Sequence, residues 1–499
     1  MKNIASQFSE IAAKNSEKTA IYWGEEQYSF GQAYAIAGRL SKRLREEYDL
    51  KSGDRVGLWL KNCPEFIFSL FGILMAEGIV VSINNFLTPD EVGYILSDSQ
   101  VKVLISESSM TEGTTSLKAK IEGLAVIEIE EMGQKDIDSE LKLPLSGHER
   151  EELALIIYTS GTTGKPKGAM LSNNNLLCNV EAVMAELELN SEDRMACLLP
   201  MFHSFSMTVC VLLPMTQGLS VVAIRSLHPP KNIVAEIMQH QATVLPAIPQ
   251  LYRALANTKL PPNLPLRVCC SGAAPLPLEV LKAFNENVGI PLLEGYGLSE
   301  TSPVACFNPL HGERKPGSVG LPIKGVEFQI CNDDGEVLPT GEQGEICIKG
   351  HNVMMGYWNN PEATKAAIKG EWFLSGDIGY LDEDGYLYIT DRKKDMLLVN
   401  GINVYPRELE EVIYRFKGVK EAAVIGVNDP RKGDMVVACV APSDGAKIED
   451  VVLLEFLRDK LAVYKMPRKV MQMEALPRNA TGKILKTKLR ELAAEKFGR

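Results

Sequence analysis

Thr159-Ser160-Gly161-Thr162-Thr163-Gly164-Lys165-Pro166-Lys167-Gly168 follows directly on the continuous apolar run Leu153 to Tyr158. The ten residues hold four hydroxyls, three glycines and two lysines, with no large apolar side chain. A short apolar run ended by turn residues predicts a buried strand, so the loop stands on a rigid support. Glycines let backbone N–H groups turn inward as an anion-binding nest, hydroxyls donate further bonds and the lysines supply charge. The combination points to a polyphosphate cradle; the competing reading is a flexible surface loop. It is not a P-loop, because G-x-x-x-x-G-K-[ST] needs glycine where Pro166 stands.

Working outward, 499 residues are too many for one core and predict a large and a small domain. A hydrophobic fraction of 45% with 7% aromatics is that of a soluble globular protein. The ten cysteines form no C-x-x-C pair and scatter through apolar segments, as reduced core residues of a cytoplasmic protein would. Six isolated histidines suggest no zinc site. Residues 391–499 carry 22 Lys+Arg against 16 Asp+Glu, which leaves 31 against 48 in residues 1–390. A basic small domain facing an acidic large one suits a cleft for polyanions, although surface variation alone would give the same balance. No basic stripe with interleaved aromatics suggests nucleic acid.

The start of the chain lacks the apolar core of a signal peptide, and Ile4, Phe8 and Ile11 predict an amphipathic surface helix. The uncharged stretch Met195 to Ile224 is broken by Pro200, Pro214 and Gly218, which excludes a membrane span and predicts a buried helix followed by a buried strand. Arg55–Leu60, Val101–Ile105, Ser220–Ile224, Thr243–Leu245 and Leu266–Cys270 read as strands alternating with helices, the pattern of α/β architecture. Over 315–390 the turns Asn332-Asp333-Asp334-Gly335 and Asp382-Glu383-Asp384-Gly385 predict a twisted antiparallel subdomain. A boundary within Asp391–Asp395 divides 1–391 from an α+β unit, 392–499. In that unit Pro406 opens a helix with Leu409, Val412, Ile413 and Phe416 on one face, and a second helix carries Leu453, Leu454, Leu457 and Leu461. Its strands are expected at Ala422–Val427, Met435–Val440 and Val470–Met473.

Tyr158 to Leu171 resembles the signature loop of the AMP-forming adenylating enzymes: acyl- and aryl-CoA synthetases, peptide-synthetase adenylation domains and beetle luciferases. The resemblance recurs in order at Pro200–Phe205, Ser271–Leu276, Glu294–Thr301, Ser375–Asp377, Asp391–Asp395, Gly401–Glu410 and Pro477–Ile484, and so spans nearly the whole chain. It implies a large N-terminal domain of two α/β layers plus a small antiparallel sheet, followed by a mobile α+β domain. It also implies the chemistry. A carboxylic acid is converted by ATP to an acyl-adenylate with loss of pyrophosphate, and the adenylate then passes to the thiol of CoA.

The resemblance assigns roles residue by residue. Thr159, Ser160, Gly161, Thr162, Thr163, Gly164, Lys165 and Lys167 would hold the β- and γ-phosphates. Glu300, with Thr159 beside it, would hold Mg²⁺, a hard cation suited to oxygen donors. Within Glu294-Gly295-Tyr296-Gly297-Leu298-Ser299, the paired glycines would let backbone approach the base and Tyr296 would stack on it. Ser299 replaces the family's usual threonine but keeps a hydroxyl for the α-phosphate. Gly272, Ala273 and Ala274 would let adenine and the acyl chain pass close to backbone. Asp377 would hold the ribose diol, with Arg392 on its far side. Lys483 would bridge the carboxylate and the α-phosphate. Lys394 is the expected hinge, and rotation about it would bring Gly401 to line a pantetheine tunnel. His203 would close over the acyl end.

The segment Gly295–Pro309 and the Met-rich region Met195–Ile224 look most like fatty-acyl members, and an aromatic acid is the near alternative. Two further readings differ in class: a stand-alone adenylating enzyme that loads a carrier protein, and a nucleotide-binding regulator without chemistry. The expected partners are a small carboxylic acid, ATP and CoA, with no nucleic acid and no transmembrane segment. The expected particle is a cytoplasmic monomer or homodimer, compatible with peripheral membrane contact.

Overall fold

The computed structural model describes residues 2–132, 149–159, 165–227, 229, 231–399, 402–429, 433–443, 445–479 and 482–497. Leu153–Thr159 forms the expected buried strand, inside a seven-stranded sheet. The order is Gly356–Tyr357, Lys167–Ser172, Leu153–Thr159, Ile79–Ser82, Arg55–Trp59, Val101–Ser106, Ala125–Glu128. Pairing is parallel from Leu153–Thr159 out to Ala125–Glu128. Lys167–Ser172 returns antiparallel, with Thr159 opposite Lys167. Both ends of the cradle are thus fixed on adjacent strands, and its centre, residues 160–164, lies outside the described residues.

A second sheet has nine strands, in the order Leu321–Pro322, Val304–Phe307, Leu292–Gly297, Val268–Ser271, Val244–Ala247, Arg194–Cys197, Ser220–Ala223, Thr19–Trp23, Glu26–Ser29. The run Met195 to Ile224 departs from the expected helix followed by strand. It opens with strand Arg194–Cys197, passes through π-helix Ser206–Leu212 and helix Leu213–Gln217, and ends in strand Ser220–Ala223. Every residue of the π-helix is buried. A segment apolar on all sides has no periodicity to separate strand from helix, and so the first strand was hidden. The N-terminal helix, Ile4–Lys14, buries Ile4, Ala5, Phe8 and Ala12 in the same large core.

Val326–Cys331, Gly344–Gly350, Trp372–Leu381, Leu387–Arg392 and Ile368–Lys369 build the antiparallel sheet. The two acidic turns share one local chemistry. Asn332 Oδ1 accepts from the N–H groups of Asp334 and Glu336 at 3.0 and 2.9 Å, and Asp382 Oδ1 from Asp384 and Tyr386 at 3.0 and 2.9 Å. Gly335 and Gly385 take left-handed backbone, φ 84° and 81°, where a side chain would be strained.

The C-terminal region is a smaller α+β unit. Its sheet is ordered Ile402–Val404, Leu397–Val399, Gly433–Pro442, Val419–Asp429, with Lys469–Gln472 beside Gly433–Pro442. Helix Pro406–Tyr414 has proline in its first turn and buries Leu409 and Ile413. Helix Asp450–Arg458 buries Leu453 and Leu457 in the same core, separate from that of the large region. All ten cysteines are free thiols and eight are buried. Among the described residues no helix is long and apolar enough to cross a membrane.

Candidate active site

Strands Trp372–Leu381 and Leu387–Arg392 pair so that Asp377 faces Arg392. Arg392 Nε lies 3.2 Å from Asp377 Oδ1, and the Tyr296 hydroxyl donates to Asp377 Oδ2 at 2.6 Å. Asp377 is buried, so this pairing replaces the water its carboxylate lost. Behind it Glu345 Oε1 accepts from the Gly376 N–H at 3.1 Å, while Lys393 Nζ sits 3.0 Å from Glu345 Oε2. A second layer therefore holds the Asp377 turn in place. Glu345 and Lys393 escape a sequence reading because each is one of many exposed-looking charges.

Tyr296 comes from strand Leu292–Gly297, whose register shifts between Tyr296 and Gly297. Gly295 and Gly297 carry a packing role that the sequence did not suggest. A Cβ on Gly295 would meet the Phe307 ring, and one on Gly297 would overlap the Pro303 carbonyl. Close strand approach is what these glycines permit. Glu294 Oε1 accepts from the Leu276 N–H at 3.0 Å and lies 3.9 Å from Arg407 Nη2. Burial pushes the Glu294 carboxyl up to about 7, and the Arg407 charge restrains that rise.

Glu300 projects from the short turn Ser299–Thr301. Its Oε1 accepts from the Tyr357 hydroxyl at 3.0 Å and stands 3.5 Å from Thr159 Oγ1. Tyr357, on the edge strand beside Lys167–Ser172, was not anticipated. Its phenol is pushed up first by burial and then by the Glu300 charge, so it remains a donor. Lys167 Nζ lies 5.2 Å from the Tyr357 ring centroid and Lys165 Nζ 5.9 Å from that of Tyr94, both in cation–π range. Lys167 thus stands over the same ring whose hydroxyl bonds Glu300. Glu300 and Thr159 offer oxygen only, which fits a hard cation; no cluster of three acidic, His or Cys ligands exists among the described residues.

Ser204 Oγ is 3.1 Å from Ser299 Oγ, which ties the Pro200–Phe205 segment to the Glu300 turn. His203 Nδ1 accepts from the Phe205 N–H at 3.3 Å. Gly272 faces the Phe205 ring, 3.2 Å from where a Cβ would stand, and Ala273 takes left-handed backbone at φ 65°. Burial, and then the Lys483 charge, push the His203 imidazole down to about 4, so the ring is neutral at pH 7.

Lys483 reaches the same place from the end of the chain. Arg478 bridges Ile484, the Lys483 N–H donates to Asn479 Oδ1 at 2.9 Å, and Gly482 takes φ 80°. Gly482 sits against Ile248 of the large region, where a Cβ would not fit. Loss of hydration lowers Lys483 to about 7; the charges of Arg392 and Lys394 act in the same direction, those of Asp377 and Asp395 against it. Cations crowded around two carboxylates form a site short of negative charge. Lys394 is exposed in the turn that follows Arg392, and Gly401, Ser160, Gly161, Thr162, Thr163 and Gly164 lie outside the described residues.

Residues 8–358 match the AMP-binding enzyme family, and residues 408–483 match the AMP-binding enzyme C-terminal domain. This chain belongs to the AMP-binding enzymes. The family member is 34% identical to the long-chain-fatty-acid–CoA ligase of Bacillus subtilis strain 168, over 99% of this chain and 95% of that protein. It is also 34% identical to a feruloyl-CoA synthase of an Amycolatopsis species, over 96% of each. ATP-bound MatB from Rhodopseudomonas palustris, 32% identical, superposes with a TM-score of 0.91 over 99% of this chain and 100% of that one. The same protein in its apo crystal structure, with the same coverage, reaches 0.79. The arrangement of this AMP-binding enzyme is therefore nearer to the ATP-bound form than to the apo form.

Proposed function

We propose that this enzyme is an acid–thiol ligase that makes an acyl-CoA in two steps through an acyl-adenylate. A carboxylate oxygen attacks the α-phosphorus of ATP and pyrophosphate leaves; the thiol sulfur of CoA then attacks the acyl carbon, AMP leaves and the thiol proton is released. The observation that carries the reading is the arrival of Lys483 beside the Asp377–Arg392 pair. There its ammonium can touch both the acid and the α-phosphate, orienting them and offsetting charge that builds as they join.

The other residues take roles that their surroundings support. Asp377, held by Tyr296 and Arg392, offers an oriented carboxylate to the ribose diol. Lys165 and Lys167, with Thr159 and the hydroxyls and glycines of 160–164, receive the departing pyrophosphate. Neutral His203, beside Phe205, closes the acyl end without adding charge. Glu300 and Thr159 would hold Mg²⁺, which when bound neutralises phosphate charge. Lys394 serves as hinge, Gly401 lines the path of the pantetheine arm, and the small unit is 392–499.

The acid is a medium- or long-chain aliphatic one, supported by the wholly buried π-helix beside Phe205 and by the Bacillus ligase. An aromatic acid is the second reading, favoured by the equally similar feruloyl-CoA synthase. The reaction belongs to the cytoplasm, where ATP and CoA are available.

The test is pyrophosphate release from a panel of aliphatic and aromatic acids, with and without CoA. Thioester formation on a fatty acid is expected. Adenylate without thioester would instead favour carrier-protein loading, and no release with any acid would leave only a nucleotide-binding role. In the same assays Lys483→Ala should lower adenylation roughly a hundred- to a thousandfold while sparing thioester formation from supplied acyl-adenylate. Equal loss in both halves refutes the role given to Lys483.

A further inference from the structure

Helix Pro406–Tyr414 turns Leu409 and Ile413 into the C-terminal core, and its opposite side carries Arg407, Glu411 and Tyr414. These stand at i, i+4 and i+7, one face of an α-helix. That face lies on the large region. Arg407 Nη1 donates to the Ile389 carbonyl at 2.8 Å, its Nη2 is 3.9 Å from Glu294, and its backbone N–H donates to Asp391 Oδ2 at 3.0 Å. The guanidinium and the Glu294 carboxyl are 13% and 4% exposed, so both rely mainly on protein partners. The Tyr414 ring receives Arg253 of the large region at 5.3 Å, and Arg253 also donates to the Lys420 carbonyl.

Glu411 completes the face. Helix Leu278–Asn287 of the large region starts at Pro277, which provides no side-chain cap, so its first N–H groups depend on partners from elsewhere. The Glu411 carboxyl faces the Leu278 N–H from the other side of the boundary, a neighbour that favours its charged form against the opposing effect of burial.

We propose that Arg407, Glu411 and Tyr414 form a latch that favours the pose in which Lys483 reaches the nucleotide, so that these three residues position Lys483 for adenylation. The proposal rests on the two-step reading of the reaction. None of the three touches the Asp377–Arg392–Lys483 cluster, so they are positioning residues. Rotation about Lys394 carries the whole face off its partners at once. Three contacts of different kind, from one rigid helix, give two discrete poses instead of a continuum. The Arg407 guanidinium adds direction here, because in this pose it has lost most of its water and depends on the Ile389 carbonyl and Glu294 in its place.

The test uses the full chain with Arg407→Ala and, from the opposite side of the boundary, Arg253→Ala, which leaves the small domain's own packing untouched. Each variant should lower ATP–pyrophosphate exchange about tenfold, the effect of 1.4 kcal/mol withdrawn from one pose. Thioester formation from supplied acyl-adenylate should stay at the wild-type rate or rise. Equal loss in both halves, or loss in neither, overturns the latch. Hydrogen–deuterium exchange separates this outcome from failure of the functional reading. Even if no acid proves to be a substrate, Arg407→Ala should speed deuteration at the start of helix Leu278–Asn287. Unchanged deuteration there overturns the latch regardless of activity.

Discussion

Lys483 is a cation whose surroundings work against its charge. Loss of hydration and the nearby Arg392 and Lys394 bring it to about 7, while most lysines stay charged to far higher pH. The sign of the resulting pH effect is fixed. The ammonium is present below its pKa and lost as pH rises through it, and bound phosphates move that point upward. ATP–pyrophosphate exchange should therefore fall on the alkaline side with a midpoint at or above about 7. Lys483→Arg, which stays protonated, should remove that limb from the pH profile even if the rate drops. An unchanged limb would assign it to another group. The same residue scale applies to His203: an imidazole held near 4 would contribute shape and no charge to the acyl end proposed for this site.

Elements supply what single residues cannot. The strand Leu153–Thr159 anchors one end of the glycine- and lysine-rich loop and Lys167–Ser172 the other, so a phosphate bound as proposed would sit against a seven-stranded sheet. The strand Leu292–Gly297 shows how tightly such supports are built. A methyl group on Gly297 would fall on the Pro303 carbonyl, and backbone cannot step aside as a side chain can. Gly297→Ala should destabilise the protein by about 1–3 kcal/mol, seen as a lower thermal midpoint, and should weaken exchange by displacing Tyr296 from Asp377. A variant as stable as wild type would mean that the bulge absorbs the methyl.

At the scale of the molecule, a large and a small region, each with its own cores, are joined by a short connection and set against each other by a few polar contacts. The turn after Arg392 is closed by Asp395 N–H and Met396 N–H, both donating to the Arg392 carbonyl at 2.8 and 3.0 Å. Lys394→Pro fixes φ at the middle of this turn and restrains the residue before it. On the proposed two-step reading, adenylation uses the pose seen here, whereas thiol attack requires Lys483 to withdraw. The variant should therefore slow thioester formation more than adenylation, measured as separate half-reactions. The reverse order would place the pivot elsewhere.

The residues alone sufficed for whatever depends on neighbours in the chain. The apolar run ahead of Thr159, the glycine turns at 335 and 385, and the Leu409–Ile413 stripe of helix Pro406–Tyr414 all report which side of a local element is buried. The glycine- and lysine-rich loop after Thr159 stands out for the same reason, whereas Lys483 is singled out only by the resemblance of its segment to a family motif. What needed the tertiary structure is every partnership between distant elements. Tyr357 on Glu300, Arg407 on Glu294, Glu411 on Leu278 and the glycines of Leu292–Gly297 follow from how sheets and helices pack. Periodicity records that a face is covered, but what covers it is decided only when the chain closes on itself.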